Sequence, residues 1–120
     1  MEAELVKTFR FEAAHSLRNL PEGHKCLRMH GHSYRVDVHV RGEVDPATGL
    51  VMDFGEIVAA VRPVIERLDH RVLNEIPGLE NSTSELIAKY LWDRIAPAVK
   101  GLTAVTVHES DTSRCVYRGR

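Results

Sequence analysis

Strict alternation of apolar and polar residues between positions 34 and 41 is the feature that most constrains how this chain folds. Tyr34, Val36, Val38 and Val40 are apolar, and each residue between them is charged or a histidine. A period of two places the apolar side chains on one face of a β-strand and the polar ones on the other. The same alternation runs from residue 5 to residue 13, so we predict two strands that are each buried on one face.

Helical periodicity replaces this alternation in the middle of the chain. Asp53 and Glu56 form a helix-start pattern, and apolar residues then recur at helical spacing as far as Leu68. A capping box at Ser82–Glu85 begins a second helix, which we expect to end near Pro97. Two further strands are predicted over residues 102–109 and 114–117.

The resulting order, ββααββ, predicts an α+β fold. We expect an antiparallel four-stranded sheet with two helices on one face, in a single domain that spans residues 1–120. The chain has no linker, composition break or internal repeat that would divide it. Such a sheet has two open edges and one uncovered face, which favours assembly into an oligomer.

The charge balance excludes some classes of partner. The chain has 16 basic and 17 acidic residues, which gives a net charge of −1. A global basic field for nucleic acid or membranes is therefore absent. No apolar run approaches the roughly 20 residues of a membrane span, and the N-terminal residues lack the apolar core of a signal peptide. We predict a cytoplasmic protein without nucleic-acid or membrane partners.

Histidines are unusually frequent, with seven against two cysteines, and four of them fall within 18 residues. His30 and His32 are two apart on a strand and therefore point to the same face. His15 ends the neighbouring strand with the matching parity. Three histidines with no fourth protein ligand are typical of a catalytic zinc site. Surface or hydrogen-bonded histidines are the alternative.

The other histidines carry weaker signals. His39 and His108 have the opposite parity, so we predict that both are solvated. His24 lies in a polar loop, where either substrate contact or simple loop polarity explains it.

Four more residues are candidates for acid–base chemistry. Cys26 lies among cations just before the strand that carries His30 and His32. This setting favours a reactive thiolate over a structural cysteine. Asp69 and His70 close the first helix, and Glu109 ends an apolar strand face. Helix capping explains Asp69 and His70 equally well, and a strand end that reaches solvent explains Glu109.

Two segments are locally basic. Residues 18–35 contain four cations against one acid, and residues 112–120 contain three arginines and no acid. Such segments suit a compact polyanion such as a phosphate chain, although solvated charge is the default interpretation of each residue.

Several separated motifs resemble the 6-pyruvoyltetrahydropterin synthase family over almost the whole chain. They are Phe11-Glu12-Ala13-Ala14-His15, Cys26-x-x-x-His30-Gly31-His32, Leu68-Asp69-His70, Thr83-Ser84-Glu85 and Glu109. Three residues separate Cys26 from His30, as in the bacterial branch that forms 6-carboxy-5,6,7,8-tetrahydropterin in queuosine biosynthesis. Ser82 is a departure, since close relatives often have Pro there.

The resemblance implies the tunnelling fold, in which ββααββ units join their sheets into barrels, usually as a hexamer of two stacked trimers. Active sites then lie between subunits. It implies Zn²⁺ held by His15, His30 and His32, and Cys26 as the base.

The resemblance also implies roles for residues outside the metal site. His70, supported by Asp69, and Glu109 would relay protons, and Glu109 would also anchor the pterin ring. Thr83 and Ser84 would line the pterin pocket. Lys25 is a further candidate for substrate binding.

The implied reaction converts 7,8-dihydroneopterin triphosphate to 6-carboxytetrahydropterin, acetaldehyde and triphosphate. Pyruvoyl-tetrahydropterin formation or aldol cleavage of dihydroneopterin on the same scaffold is the alternative activity. A non-catalytic zinc or pterin-binding module is the alternative of another class, but such a module would not need Cys26.

Overall fold

Two fourteen-residue antiparallel strands form the centre of the computed structural model, which describes residues 1–120. The strands and α-helices in chain order are β1 (Glu2–His15), β2 (His30–Glu43), α1 (Phe54–Glu66), β3 (Arg71–Val72), α2 (Ser84–Ile95), β4 (Leu102–Ser110) and β5 (Ser113–Tyr117). Short 3₁₀ turns cover Lys25–Leu27 and Leu73–Glu75. The predicted α+β class is confirmed.

The sheet has the strand order β3-β1-β2-β4-β5. Phe9 pairs with Val36, and Val36 pairs in turn with Val107, so the apolar residues of three strands share one face. Both helices pack on that face and close a core of 21 buried residues. The opposite face carries the polar residues of each strand and has no helix over it.

The sheet differs from the predicted one in having five strands and a mixed direction. β3 runs parallel to β1, with Arg71 opposite Ala13 and Val72 opposite Ala14. The chain turns at His70, which has a φ of 58° and donates its backbone N–H to the carbonyl of Glu12. The antiparallel four-stranded prediction was wrong here, because a two-residue strand is too short to show alternation.

The start of α2 also differs from the predicted capping box by one residue. The N-cap is Thr83, whose Oγ1 accepts a hydrogen bond from the backbone N–H of Leu86 at 3.2 Å. Ser82 precedes the cap and is fully buried. The first helix begins as predicted, with Asp53 accepting from the N–H of Gly55. Neither helix has the length and apolar character needed to cross a membrane.

The Thr83→Ala substitution should lower the free energy of unfolding by about 1 kcal/mol, because the N–H of Leu86 loses its acceptor. Urea denaturation measures this change. Thr112→Ala is the matched control, since Thr112 is exposed in a turn, and it should shift stability by less than about 0.5 kcal/mol. Equal stability of Thr83→Ala and the wild type would contradict the assigned cap.

Candidate metal centre and active site

The register of β1 against β2 brings three histidines together. His15 lies directly opposite His30, and His32 lies opposite Ala13, so all three occupy the same end of the helix-covered face. Their potential ligand atoms lie within 4.8 Å of one another. The ring centroids are separated by 4.6 to 5.2 Å. This arrangement can hold one metal ion.

Backbone carbonyls determine which ring nitrogens are free. Nδ1 of His15 donates to the carbonyl of Ser82 at 2.8 Å, and Nδ1 of His30 donates to the carbonyl of Arg28 at 2.7 Å. Each Nε2 therefore keeps its lone pair when the ring is neutral. Nε2 of His32 is buried and makes no well-aligned hydrogen bond, although it lies 3.1 Å from a carboxylate oxygen of Glu109. Two oriented Nε2 atoms beside the ring of His32 fit a three-histidine metal site.

The environment of the cluster favours neutral imidazoles. Burial lowers the pKa of His15, and the positive charges that His30 and His32 would carry lower it further. Burial also lowers the pKa of His32 and outweighs the opposing effect of the Glu109 carboxylate. A neutral ring is the form that coordinates a metal ion.

Tyr34 packs against the histidine cluster, a role that the sequence reasoning missed. The side chain is buried, stacks on Phe11 at 4.7 Å, and places its hydroxyl 3.3 Å from each ring nitrogen of His15. Burial and the nearby charge of Glu109 raise its pKa, so the phenol stays protonated. The signal was its parity, since Tyr34 follows His32 by two residues on the same face.

Glu109 connects the cluster of three histidines to the start of α2. One carboxylate oxygen lies 3.1 Å from Nε2 of His32, and the other accepts a 2.6 Å hydrogen bond from the hydroxyl of Ser84. Both residues line a cavity of about 390 Å³. Glu109 thus borders a pocket rather than ending in bulk solvent. Thr83 precedes Ser84, and its hydroxyl oxygen already accepts the capping hydrogen bond of α2.

Cys26 lies in the 3₁₀ turn between β1 and β2, and its side chain is half-buried. Its carbonyl accepts a 2.7 Å hydrogen bond from the N–H of Leu17, two residues after His15. Its own N–H donates to Nδ1 of His24 at 3.0 Å. The turn is therefore connected to the end of the strand that carries His15, a candidate metal ligand. The neighbouring Lys25 is exposed.

Asp69 and His70 form a pair at the outer edge of β1. Nδ1 of His70 lies 3.0 Å from the Asp69 carboxylate, which also accepts the N–H of Glu12 at 2.9 Å. That backbone hydrogen bond is the main reason that the pKa of Asp69 is lowered. The His70 side chain is 78% exposed. No hydrogen bond or ion pair connects this pair to Cys26 or Glu109.

The prediction that His39 and His108 are solvated was wrong. His108 is buried, with Nε2 2.9 Å from Asp37, and His39 is half-buried between Glu4 and Thr106 at 3.0 Å from each. Both point away from the helices, as their parity predicted. Long polar side chains of the adjacent strands cover them on that face.

Comparison with known proteins identifies the family. The model for the family described as 6-pyruvoyl tetrahydropterin synthase matches residues 4–120. The chain belongs to this family. As a member of the 6-pyruvoyl tetrahydropterin synthase family, it is an enzyme, a lyase that acts on pterins.

The similarity to individual members of the 6-pyruvoyl tetrahydropterin synthase family covers nearly the whole chain. The 6-carboxy-5,6,7,8-tetrahydropterin synthase of Synechocystis sp. is 43% identical, over 94% of this chain and 91% of its own length. The human 6-pyruvoyl tetrahydrobiopterin synthase is 35% identical, over 98% of this chain and 92% of its own. The solved 6-pyruvoyl tetrahydropterin synthase of Caenorhabditis elegans superposes with a TM-score of 0.92 at 29% identity, covering 100% of this chain and 97% of its own.

The burial of His15 and His32 predicts a pH dependence for the metal-free protein. The folded state holds these rings at a pKa below the ordinary 6.5, so the unfolded state binds more protons near that pH. Their contribution to stability is fully present above pH 6.5 and is lost as the pH falls below it. After a chelator has removed any bound metal, the urea concentration at the unfolding midpoint should therefore be lower at pH 5.5 than at pH 7.5.

Two variants isolate this effect. His32→Gln cannot take up the proton, so its drop over the same pH range should be smaller than that of the wild type. His24→Gln alters an exposed histidine and should keep the full drop. An identical pH dependence in His32→Gln and the wild type would show that the cluster does not cause the drop.

Proposed function

We propose that this lyase converts 7,8-dihydroneopterin triphosphate to 6-carboxy-5,6,7,8-tetrahydropterin, acetaldehyde and triphosphate, as a zinc enzyme of queuosine biosynthesis. The observation that carries this choice within the family is the three-residue spacing between Cys26 and His30, which the carboxy-forming branch shares. The 43% identical relative bears the name of that activity. A single domain over residues 1–120 and a cytoplasmic location are part of the same proposal.

His15, His30 and His32 would hold the zinc ion through ring nitrogens, which are the Nε2 atoms in His15 and His30. The carbonyls of Ser82 and Arg28 orient the rings of His15 and His30. Burial favours the neutral form of His15 and His32. A bound zinc ion supplies Lewis-acid polarisation of the oxygens on the substrate side chain. Three protein ligands leave a coordination position for those oxygens.

Cys26 is the proposed base. A thiolate at this position removes and returns protons on the carbon atoms of the substrate side chain, after which the carbon–carbon bond breaks in a retro-aldol sense. Oxidation of one carbon balances reduction of another, so no nicotinamide or flavin is needed. The hydrogen bond from Leu17 supports this role, because it holds the turn that carries Cys26 beside the end of β1.

Glu109 is the proposed anchor of the pterin ring and a member of the proton relay. Its carboxylate borders the 390 Å³ cavity and is already oriented by the Ser84 hydroxyl. A carboxylate accepts paired N–H donors of the kind that a pterin presents. Ser84 and Thr83 would line this pocket, and the exposed Lys25 would contact the substrate from the loop.

Asp69 and His70 complete the relay in this proposal by coming from a second copy of the chain. Their position beside β3 at one edge of the sheet, with the His70 ring exposed, supports a role across a subunit boundary. The edge strands are β3 and β5, and β3 pairs with only two residues of β1, so both sides of the sheet are open to closure of several sheets into a barrel. We propose a hexamer built as two stacked trimers.

Incubation of the zinc-loaded protein with 7,8-dihydroneopterin triphosphate tests the proposed reaction. We expect a pterin with the mass of 6-carboxytetrahydropterin, together with acetaldehyde and triphosphate, and we expect chelation to stop turnover and added zinc to restore it. A pyruvoyl-tetrahydropterin product would instead assign the protein to the sister branch. Cleavage of dihydroneopterin itself would indicate an aldolase.

The role of Cys26 is tested in the same assay. Cys26→Ala should retain zinc and lower kcat by on the order of 10²–10⁴-fold, the usual contribution of a general base. Met29→Ala is the control, since Met29 is exposed in the same loop and offers no acid–base group. Unchanged turnover in Cys26→Ala would leave a non-catalytic module or another base.

Mixing two inactive variants tests whether subunits share the site. Cys26→Ala and His70→Ala should each be inactive, and subunit exchange between them should restore about a quarter of the wild-type sites if each site takes the two residues from different copies. Cys26→Ala mixed with Cys26→Ser should restore none. Absence of recovery after proven exchange would place both residues within one chain.

A further inference from the structure

The uncovered face of the sheet carries a row of basic residues that the proposed reaction does not use. Arg10 of β1 lies opposite Arg35 of β2, which lies opposite His108 of β4, which lies opposite Arg114 of β5. We call this set of four residues the basic row. It crosses four adjacent strands on the face away from the helices.

The basic row is electrostatically unfavourable without a counter-charge. Like charges directly opposite each other destabilise a strand pair, and neighbouring strands are only about 4.8 Å apart. Asp37 is the one carboxylate in contact, 2.9 Å from Nε2 of His108 and 3.6 Å from Arg35. Burial disfavours its charge, but hydrogen bonds from Thr8 and His108 hold its pKa below the usual value. Of the three arginines in the row, only Arg35 makes an ion pair.

A cavity of about 510 Å³ lies over this face and is also basic. Its lining includes four arginines, namely Arg35, Arg41, Arg114 and Arg118, against two carboxylates, Glu4 and Asp37. Arg41 is also 3.5 Å from Glu2, so this arginine has a carboxylate partner outside the lining. Neither Arg114 nor Arg118 makes an ion pair with a carboxylate of the chain. Nε of Arg35 is buried and has no hydrogen-bond partner, so an N–H donor is left unsatisfied beside the cavity.

This cavity is separate from the metal cluster within the chain. Side chains alternate along β2, so Arg35 points away from the face that carries His32 and Tyr34. The sequence grouped Arg35, Arg114 and Arg118 with the loop cations as possible triphosphate ligands. The sheet instead places Arg35 and Arg118 at the cavity opposite the three histidines, whereas Arg114 lines both this cavity and the one that Glu109 borders.

We propose that the cavity over the basic row is a second ligand site, which binds a small phosphate-class oxyanion. Guanidinium groups recognise phosphoryl oxygens through paired N–H donors and keep their charge at any physiological pH. A ligand with several phosphoryl charges offsets the repulsion along the row. The site takes the anion through its charge and oxygens alone, since the lining offers few apolar contacts.

Calorimetric titration of the zinc-loaded protein with inorganic tripolyphosphate, and separately with inorganic phosphate, tests the site. Arg35→Gln and Arg118→Gln should each raise the Kd of tripolyphosphate at least tenfold. Cys26→Ala should bind it as the wild type does. Arg67→Gln is the matched control, since Arg67 is exposed at the end of α1, and it should leave the Kd unchanged.

Turnover separates this site from the active site. KM and kcat for 7,8-dihydroneopterin triphosphate should stay within twofold of the wild type in Arg35→Gln and Arg118→Gln. A parallel rise of KM and Kd would overturn the proposal, because the arginines would then belong to the substrate site. An unchanged Kd in both variants would also overturn it, and Arg118→Gln alone decides if Arg35→Gln does not fold.

Discussion

The pairing register of β1 against β2 is the constraint on which the other features depend. His15 lies opposite His30 only because every residue from Glu2 to His15 has a fixed partner in β2. A slip of one residue would move His30 and His32 to the face without helices and expose Val36 and Val38. The apolar core under the helices therefore holds the three candidate metal ligands in place.

The start of α2 is the second element that builds the site. Ser82 orients His15 through its carbonyl, Thr83 caps the helix, and Ser84 holds Glu109. Three consecutive residues thus connect a candidate metal ligand from β1, the helix itself and a carboxylate from β4. A hydroxyl-rich helix start serves both the termination of the loop and the geometry of the pocket.

Much of this architecture follows from local patterns. Alternation in β1 and β2 predicted the shared face of the three histidines, and capping patterns predicted both helices. β3 escaped because two residues carry no period. The burial of His108 escaped for a different reason, since parity gives direction but not how far side chains on neighbouring strands cover one another. The contact of Tyr34 with His15 depends on ring packing, which the sequence pattern does not describe.

The edge position of Asp69 and His70 also could not be inferred from spacing. The pair follows α1 directly in the sequence, yet its place beside Glu12 depends on how α1 packs across the sheet and on the left-handed turn at His70. Sequence spacing alone therefore could not separate the capping interpretation from the relay interpretation. Glu109 was ambiguous for a similar reason, because its partner Ser84 is 25 residues away.

The hydrogen bond between His15 and Ser82 connects the histidine cluster to the start of a helix. Because the carbonyl that orients this imidazole belongs to the residue before the α2 cap, binding of an ion at the three histidines would be thermodynamically linked to ordering of the helix start. A change that frays the first turn would weaken ion binding, and a bound ion would in turn protect that turn from opening. Metal affinity and the local stability of the first turn of α2 would then rise and fall together.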